Sequence, residues 1–103
     1  MGAQRVLFAR RYRAALLDFL LGSGERGCER AHTLGRQALE SGIGLPQIIR
    51  VHHDALLTVL EATRDTARRL ARLHASHDFL TEVLSPFEMT SRGYLALARK
   101  ARR

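Results

Sequence analysis

Residues 78–93 read DFLTEVLSPFEMTSRG, and the fold turns on how this run is read. Just upstream and through it, Leu70, Leu73, His77, Leu80, Leu84 and Phe87 alternate three- and four-residue steps. That spacing is one apolar seam along a helix, as in a packed bundle or a short coiled coil. Continued in phase, the seam passes Ser91, Tyr94 and Ala98. Pro86 interrupts it, because proline lacks the amide proton that the helical ladder needs. Two readings are open at this point. Ser85-Pro86-Phe87-Glu88 has the form of a capping box with proline at the first helical position, which would start a new helix. The unbroken phase favours one long helix that kinks at Pro86 and continues. Phe79 and Val83 flank the seam, where they either widen a core or offer contact surface.

Three more helices precede this one. Leu7, Phe8, Tyr12, Ala15, Leu16, Phe19 and Leu20 predict a first helix over about Ala3–Leu21, ended by Gly22-Ser23-Gly24. A second should cover Glu25–Ser41. One face of it is built from small residues, Cys28, Ala31, Gly35 and Ala38. A glycine inside a helix costs roughly 1 kcal/mol against alanine, so Gly35 predicts close approach by a neighbouring backbone. Gly42 and Gly44 end that helix, and Pro46 opens a third that runs to about Thr63. Its expected stripe is Leu45, Ile49, His52, Leu56 and Val59, with Ile48 and Leu60 beside it and His53 off it. The polar stretch Thr63–Thr66 is a turn, and the fourth helix starts near Thr66. No strand-like alternation occurs. Four helices with short connections predict an all-α, antiparallel four-helix bundle with a long C-terminal helix. The single domain spans residues 1–103, with its core at about 3–97 and a basic tail over 98–103.

Composition narrows the function. A chain of 103 residues buries its core incompletely, so a dimer or partner is expected. The single Cys28 leaves no internal disulfide and fits a reducing compartment. No apolar run reaches membrane length, and Arg10, Arg11 and Arg13 fall where the core of a signal peptide would lie. The expectation is a soluble, cytoplasmic protein with no membrane association. The net charge is +7, but Arg5, Arg10, Arg11 and Arg13 crowd one end and Arg99, Lys100, Arg102 and Arg103 the other, leaving nine basic and ten acidic residues between them. Two basic tails suit solvated helix ends better than a nucleic-acid groove.

Chemistry finds little support. Cys28 and His32, with His74 and His77, have the helical spacing of a zinc site, but His77 lies on the apolar seam and a packed histidine is the commoner outcome. Glu82 and Glu88 have no reason to converge, and no serine sits in a nucleophile elbow. No catalytic residue, cofactor or metal is expected. His53-Asp54 is similar to the phosphoacceptor pair of two-component kinases, without the proline that usually follows.

Three stretches carry a further resemblance. Arg11-Tyr12 with Leu16, Phe19 and Leu20 resembles the RxYxxxL…[YF][IL] opening of the N-terminal domain of RsbU-type phosphoserine phosphatases. Ile48-Ile49-Arg50-Val51-His52 is similar to that family's II-x-[IV]-H helix, preceded by a similar Ile43…Pro46 turn. Asp78-Phe79-Leu80-Thr81-Glu82-Val83-Leu84 resembles its DFL-x-EV segment, and the run on to Thr90 and Arg92-Gly93 resembles a branch found before sensor or output domains. The likeness covers about residues 8–97. It implies a non-catalytic, dimeric four-helix domain that binds an RsbT-like serine kinase or related switch protein and so turns on an output carried elsewhere. Family contacts on the second helix and the DFL-x-EV helix would fall on Glu29, Phe79, Thr81, Glu82 and Ser85. Glu29, Thr81 and Ser85 stand where family members carry bulkier apolar residues, and Ser91 stands where the Thr-His-Arg-Gly form has histidine. The dimer and core would use Tyr12, Leu73, His77, Leu80, Leu84 and Phe87. Two other classes stay open: a small basic nucleic-acid-binding protein and a bundle that accepts phosphate on His53.

Overall fold

A computed structural model describes residues 2–101. Four helices follow in order: α1 Gly2–Leu20, α2 Glu25–Ser41, α3 Leu45–Glu61 and α4 Thr66–Ala101. No strand occurs among the described residues. The all-α expectation holds, and each helix boundary lies within two residues of its expected place.

Local chemistry explains the ends. Gly42 closes α2 in the left-handed region, at φ 72°. The next amide, Ile43 N–H, reaches back to the Ala38 carbonyl at 2.8 Å. This six-to-one bond lets Ile43 fold its side chain into the core, where it is buried. Asp65 caps α4: its carboxylate accepts the Arg68 N–H at 2.9 Å. The polar turn Thr63–Thr66 thus supplies the cap of the helix that follows it.

Helix α4 runs through Pro86 without a break. Ser85 therefore caps nothing. Its hydroxyl donates to the Thr81 carbonyl at 3.0 Å, one turn back within the same helix. Thr81 and Thr90 make the same kind of bond to His77 and Pro86. At 36 residues, α4 is by far the longest element, about 54 Å at 1.5 Å per residue. It accounts for the long axis of a molecule measuring 58 × 29 × 22 Å.

The helices pack with α1 and α4 in the middle, each touching the other three, while α2 and α3 barely meet. Phe8, Tyr12, Leu16, Ala31, Leu34, Ala38, Ile48, Ala55, Phe79 and Val83 form one buried cluster. Each large side chain there contributes about 1.5–3 kcal/mol by leaving water. The α2–α4 pairing is the most extensive, and Gly35 explains why. A Cβ added at Gly35 would lie 2.1 Å from the Val83 carbonyl oxygen and 3.0 Å from the Pro86 ring. The two backbones meet there, as the small-residue face of α2 predicts.

That close approach also sets the rotation of α4, and here the structure corrects the sequence. The buried line of α4 is Ser76, Phe79 and Val83. It lies roughly 100°, one residue's step, around the helix from the expected seam. Leu70 and Leu73 are exposed instead, as is His77, while Leu80, Leu84 and Phe87 are half-buried against the edge of the core. In α3 the buried line is Ile48, His52, Ala55 and Val59, and Leu45 and Ile49 face outward. Of the residues expected inside α1, Leu7 is exposed.

Candidate interaction face on α2 and α4

Helices α2 and α4 run in the same direction, with His32 beside Glu82 and Leu39 sharing a groove with Met89 and Thr90. The His32 Nε2 and a Glu82 carboxylate oxygen are hydrogen-bonded across the helix pair, both side chains about one-third to two-fifths exposed. Beyond this link the helices leave an open groove of about 440 Å³. His32, Arg36 and Leu39 line one wall, and Ser85, Pro86, Met89 and Thr90 the other. Its surface is mostly apolar, and Met89 stands well exposed at its edge.

Of the expected contact residues, Glu82 and Ser85 lie at this groove, Glu82 through His32 and Ser85 in its wall. Thr81 is exposed one turn before Ser85, and Glu29 is exposed one turn before Thr33 on α2. Phe79 does not belong with them. It is fully buried. The Tyr12 ring meets it edge-on at 5.2 Å and the Phe19 ring lies 5.4 Å away. A residue with no surface touches no partner, so the place expected for Phe79 on a binding face is corrected to the centre of the core.

Tyr12 completes a second contact. Its hydroxyl lies 2.6 Å from His52 Nδ1, and the two rings meet edge-on at 5.7 Å. Burial pushes the Tyr12 hydroxyl far above the usual range of a phenol, so it stays protonated. Burial, reinforced by the nearby His53 and His77, holds His52 below its ordinary value of 6.5. A phenol donating to the Nδ1 of a neutral imidazole satisfies both groups. Thus Tyr12 from α1, His52 from α3 and Phe79 from α4 converge on one point. All three come from the stretches singled out in the sequence.

The family model described as "Phosphoserine phosphatase RsbU, N-terminal domain" matches residues 10–90. The chain belongs to this family. No curated protein and no solved structure matches it significantly. The RsbU N-terminal domain is a regulatory part of such phosphatases and not their catalytic domain. Within this chain, the residues that carry the resemblance do structural work: Tyr12, His52 and Phe79 tie three helices together.

The remaining candidates are separated. Among the described residues, no three His, Cys, Asp or Glu side chains are placed to hold a metal ion. Cys28 is half-buried, and His32 is engaged by Glu82. His53 is exposed on α3, and Arg10, Arg11 and Arg13 are exposed on α1. No helix among the described residues is long and apolar enough to cross a membrane. The sequence reading missed the His32–Glu82 link. The sole signal for it was that His32 and Gly35, one turn apart, share the side of α2 that meets α4.

The Tyr12–His52 bond gives two expected outcomes. Tyr12→Phe leaves the buried Nδ1 without a donor and should lower stability by about 1–3 kcal/mol in urea unfolding. The second outcome concerns pH. Below 6.5 the unfolded chain protonates this histidine before the folded one does. Its contribution is therefore fully present above that value and is lost as pH falls through it towards the lower folded pKa. Melting followed by circular dichroism should show a lower midpoint at about pH 5.5 than at about pH 7.5, with a smaller difference in His52→Gln.

Proposed function

We propose that this chain is a non-catalytic regulatory module of a bacterial partner-switching, stress-signalling or sensor system, working in the cytoplasm. It forms a homodimer through α4 and presents the α2–α4 face to an RsbT-like serine kinase or a related switch protein. The observation that carries this reading is the double use of α4. One side of the helix fills the core and borders the α2 groove, while another carries Leu70 and Leu73 into solvent. The same apolar line continues along the half-buried Leu80, Leu84 and Phe87. Past the bundle, Tyr94, Leu95 and Leu97 remain exposed. An apolar stripe of this length along a helix is the surface that a second helix covers. The family membership supports the same reading, with Glu29, Thr81, Glu82 and Ser85 as the contacts offered to the partner.

Two variants separate the dimer from the partner site. Leu70→Asp with Leu73→Asp places charge on the stripe without touching the core. Light scattering should find the natural chain dimeric at about 100 μM and this variant monomeric, with unchanged helicity. Ser85→Arg fills the groove wall instead. It should keep the dimer and lose at least about tenfold in capture of an RsbT-like kinase. A natural chain that stays monomeric would remove the dimer. Capture that is indifferent to Ser85→Arg would remove the groove.

A further inference from the structure

At the end of the bundle where α1 meets α3 lies a second concavity, of about 230 Å³. Phe8, Ile43 and Val51 form its apolar side, with Phe8 and Ile43 buried to about 95%. Arg5, Gln47 and Arg50 complete the lining. The Gln47 amide satisfies its neighbours with its oxygen turned to Arg5, placing that oxygen 2.9 and 3.0 Å from the two terminal guanidinium nitrogens. Arg5 is thereby held at the cavity by a neutral acceptor. No carboxylate lines the space. Neither Arg5 nor Arg50 takes part in an ion pair among the described residues, although other cations of the chain do, through Arg30–Asp18 and Arg92–Glu88.

We propose that this cavity is a binding site for a small organic acid, a single carboxylate on a compact apolar body. Two guanidinium groups lining one small cavity with no carboxylate beside them repel one another, and an anion bound there would replace that repulsion with charge-assisted contacts. Arginine presents a planar fork that matches a carboxylate. The apolar wall takes the rest of the molecule. A volume below the roughly 300–1,000 Å³ of drug-sized pockets limits that body to about the size of a benzene ring or a short alkyl chain. Because the lining comes from α1, from α3 and from Ile43 in the turn before α3, the bound acid ties these elements together. This site stands apart from the α2–α4 groove and does not depend on the role proposed for it.

The test uses benzoate and hexanoate as probes in amide-shift titrations of the whole chain. One or both should give saturable shifts centred on Arg5, Phe8, Ile43, Gln47, Arg50 and Val51, with Kd of roughly 1 mM or tighter. The neutral benzamide and hexanamide should bind at least about tenfold more weakly, and so should inorganic phosphate, which lacks the apolar body. Arg5→Gln with Arg50→Gln should lose the same factor at unchanged helicity. The proposal is overturned if neither acid saturates by about 20 mM, if the amides or phosphate match the acids, or if the folded double variant binds as well as the natural chain. Should the variant not fold, the acid–amide comparison on the natural chain still decides.

Discussion

Phe79→Ala is expected to remove about 3–5 kcal/mol of stability, because the vacated ring sits where three helices meet. The side chain has no exposure. Its loss strips the edge-on contact from Tyr12 and the packing from Phe19. The Tyr12–His52 bond next to it would then border a cavity. A domain of this size is stabilised by only about 5–15 kcal/mol in total. The melting midpoint should fall by roughly 15–25 °C, measurable by circular dichroism. The same experiment separates two roles for Phe79. If it were a contact residue, Phe79→Leu would weaken partner capture in a well-folded protein. From its burial the expectation is the reverse: Phe79→Leu costs a modest part of the stability and leaves the proposed dimer and the proposed partner capture untouched. Loss of capture at unchanged melting would contradict the core assignment.

The burial of Phe79 shows what local sequence does and does not encode. Helix existence and ends were legible, because they depend on residues close in the chain: the glycines after Leu21 and Ser41, Pro46 at the start of α3, and the periodic leucines. The rotation of each helix about its axis was less so. On α4 leucine is the commonest large apolar residue, and its regular steps put the expected core line through Leu70, Leu73 and Leu84. What fixes the real line is a feature of another helix, the absent side chain at Gly35, which admits the α4 backbone at Val83. The small-residue face of α2 foretold a close approach without naming which residues would meet it. For the candidate sites, sequence spacing placed Glu82 and Ser85 on one helix, yet the groove exists only once α2 lies alongside. The His32–Glu82 link and the Arg5–Arg50 cavity join residues 50 and 45 positions apart, and nothing local announces such pairs. Membership of the RsbU N-terminal family was legible because its motifs are short, ordered and mostly structural. Their buried members, Tyr12, His52 and Phe79, are the ones that no local pattern marks as a cluster.

The second large effect is a change of sign. At an ordinary position inside a helix, Gly→Ala stabilises by about 1 kcal/mol, because alanine restricts the unfolded chain and shields the backbone. Gly93, inside α4, is such a position: a Cβ added there meets nothing within 4 Å. Gly93→Ala should therefore raise stability by about 1 kcal/mol. Gly35→Ala makes the identical chemical change in α2 and should do the opposite. The new methyl would lie 2.1 Å from the Val83 carbonyl oxygen, which belongs to a backbone that cannot swing aside. The Pro86 ring, 3.0 Å away, closes another direction of escape. Relief requires α2 and α4 to separate along their most extensive pairing. Such overpacking costs about 1–3 kcal/mol net of the helix gain, and Gly35→Val costs more. Separation of the helices also stretches the His32–Glu82 link and widens the groove beyond it. Gly35→Ala should therefore weaken the proposed partner capture even at temperatures where the variant is folded, while Gly93→Ala should leave it unchanged. Urea unfolding of the two variants side by side reads the signs directly. Stabilisation by Gly35→Ala would mean that the two backbones do not meet at this glycine, and the rotation assigned to α4 would have to be abandoned with it.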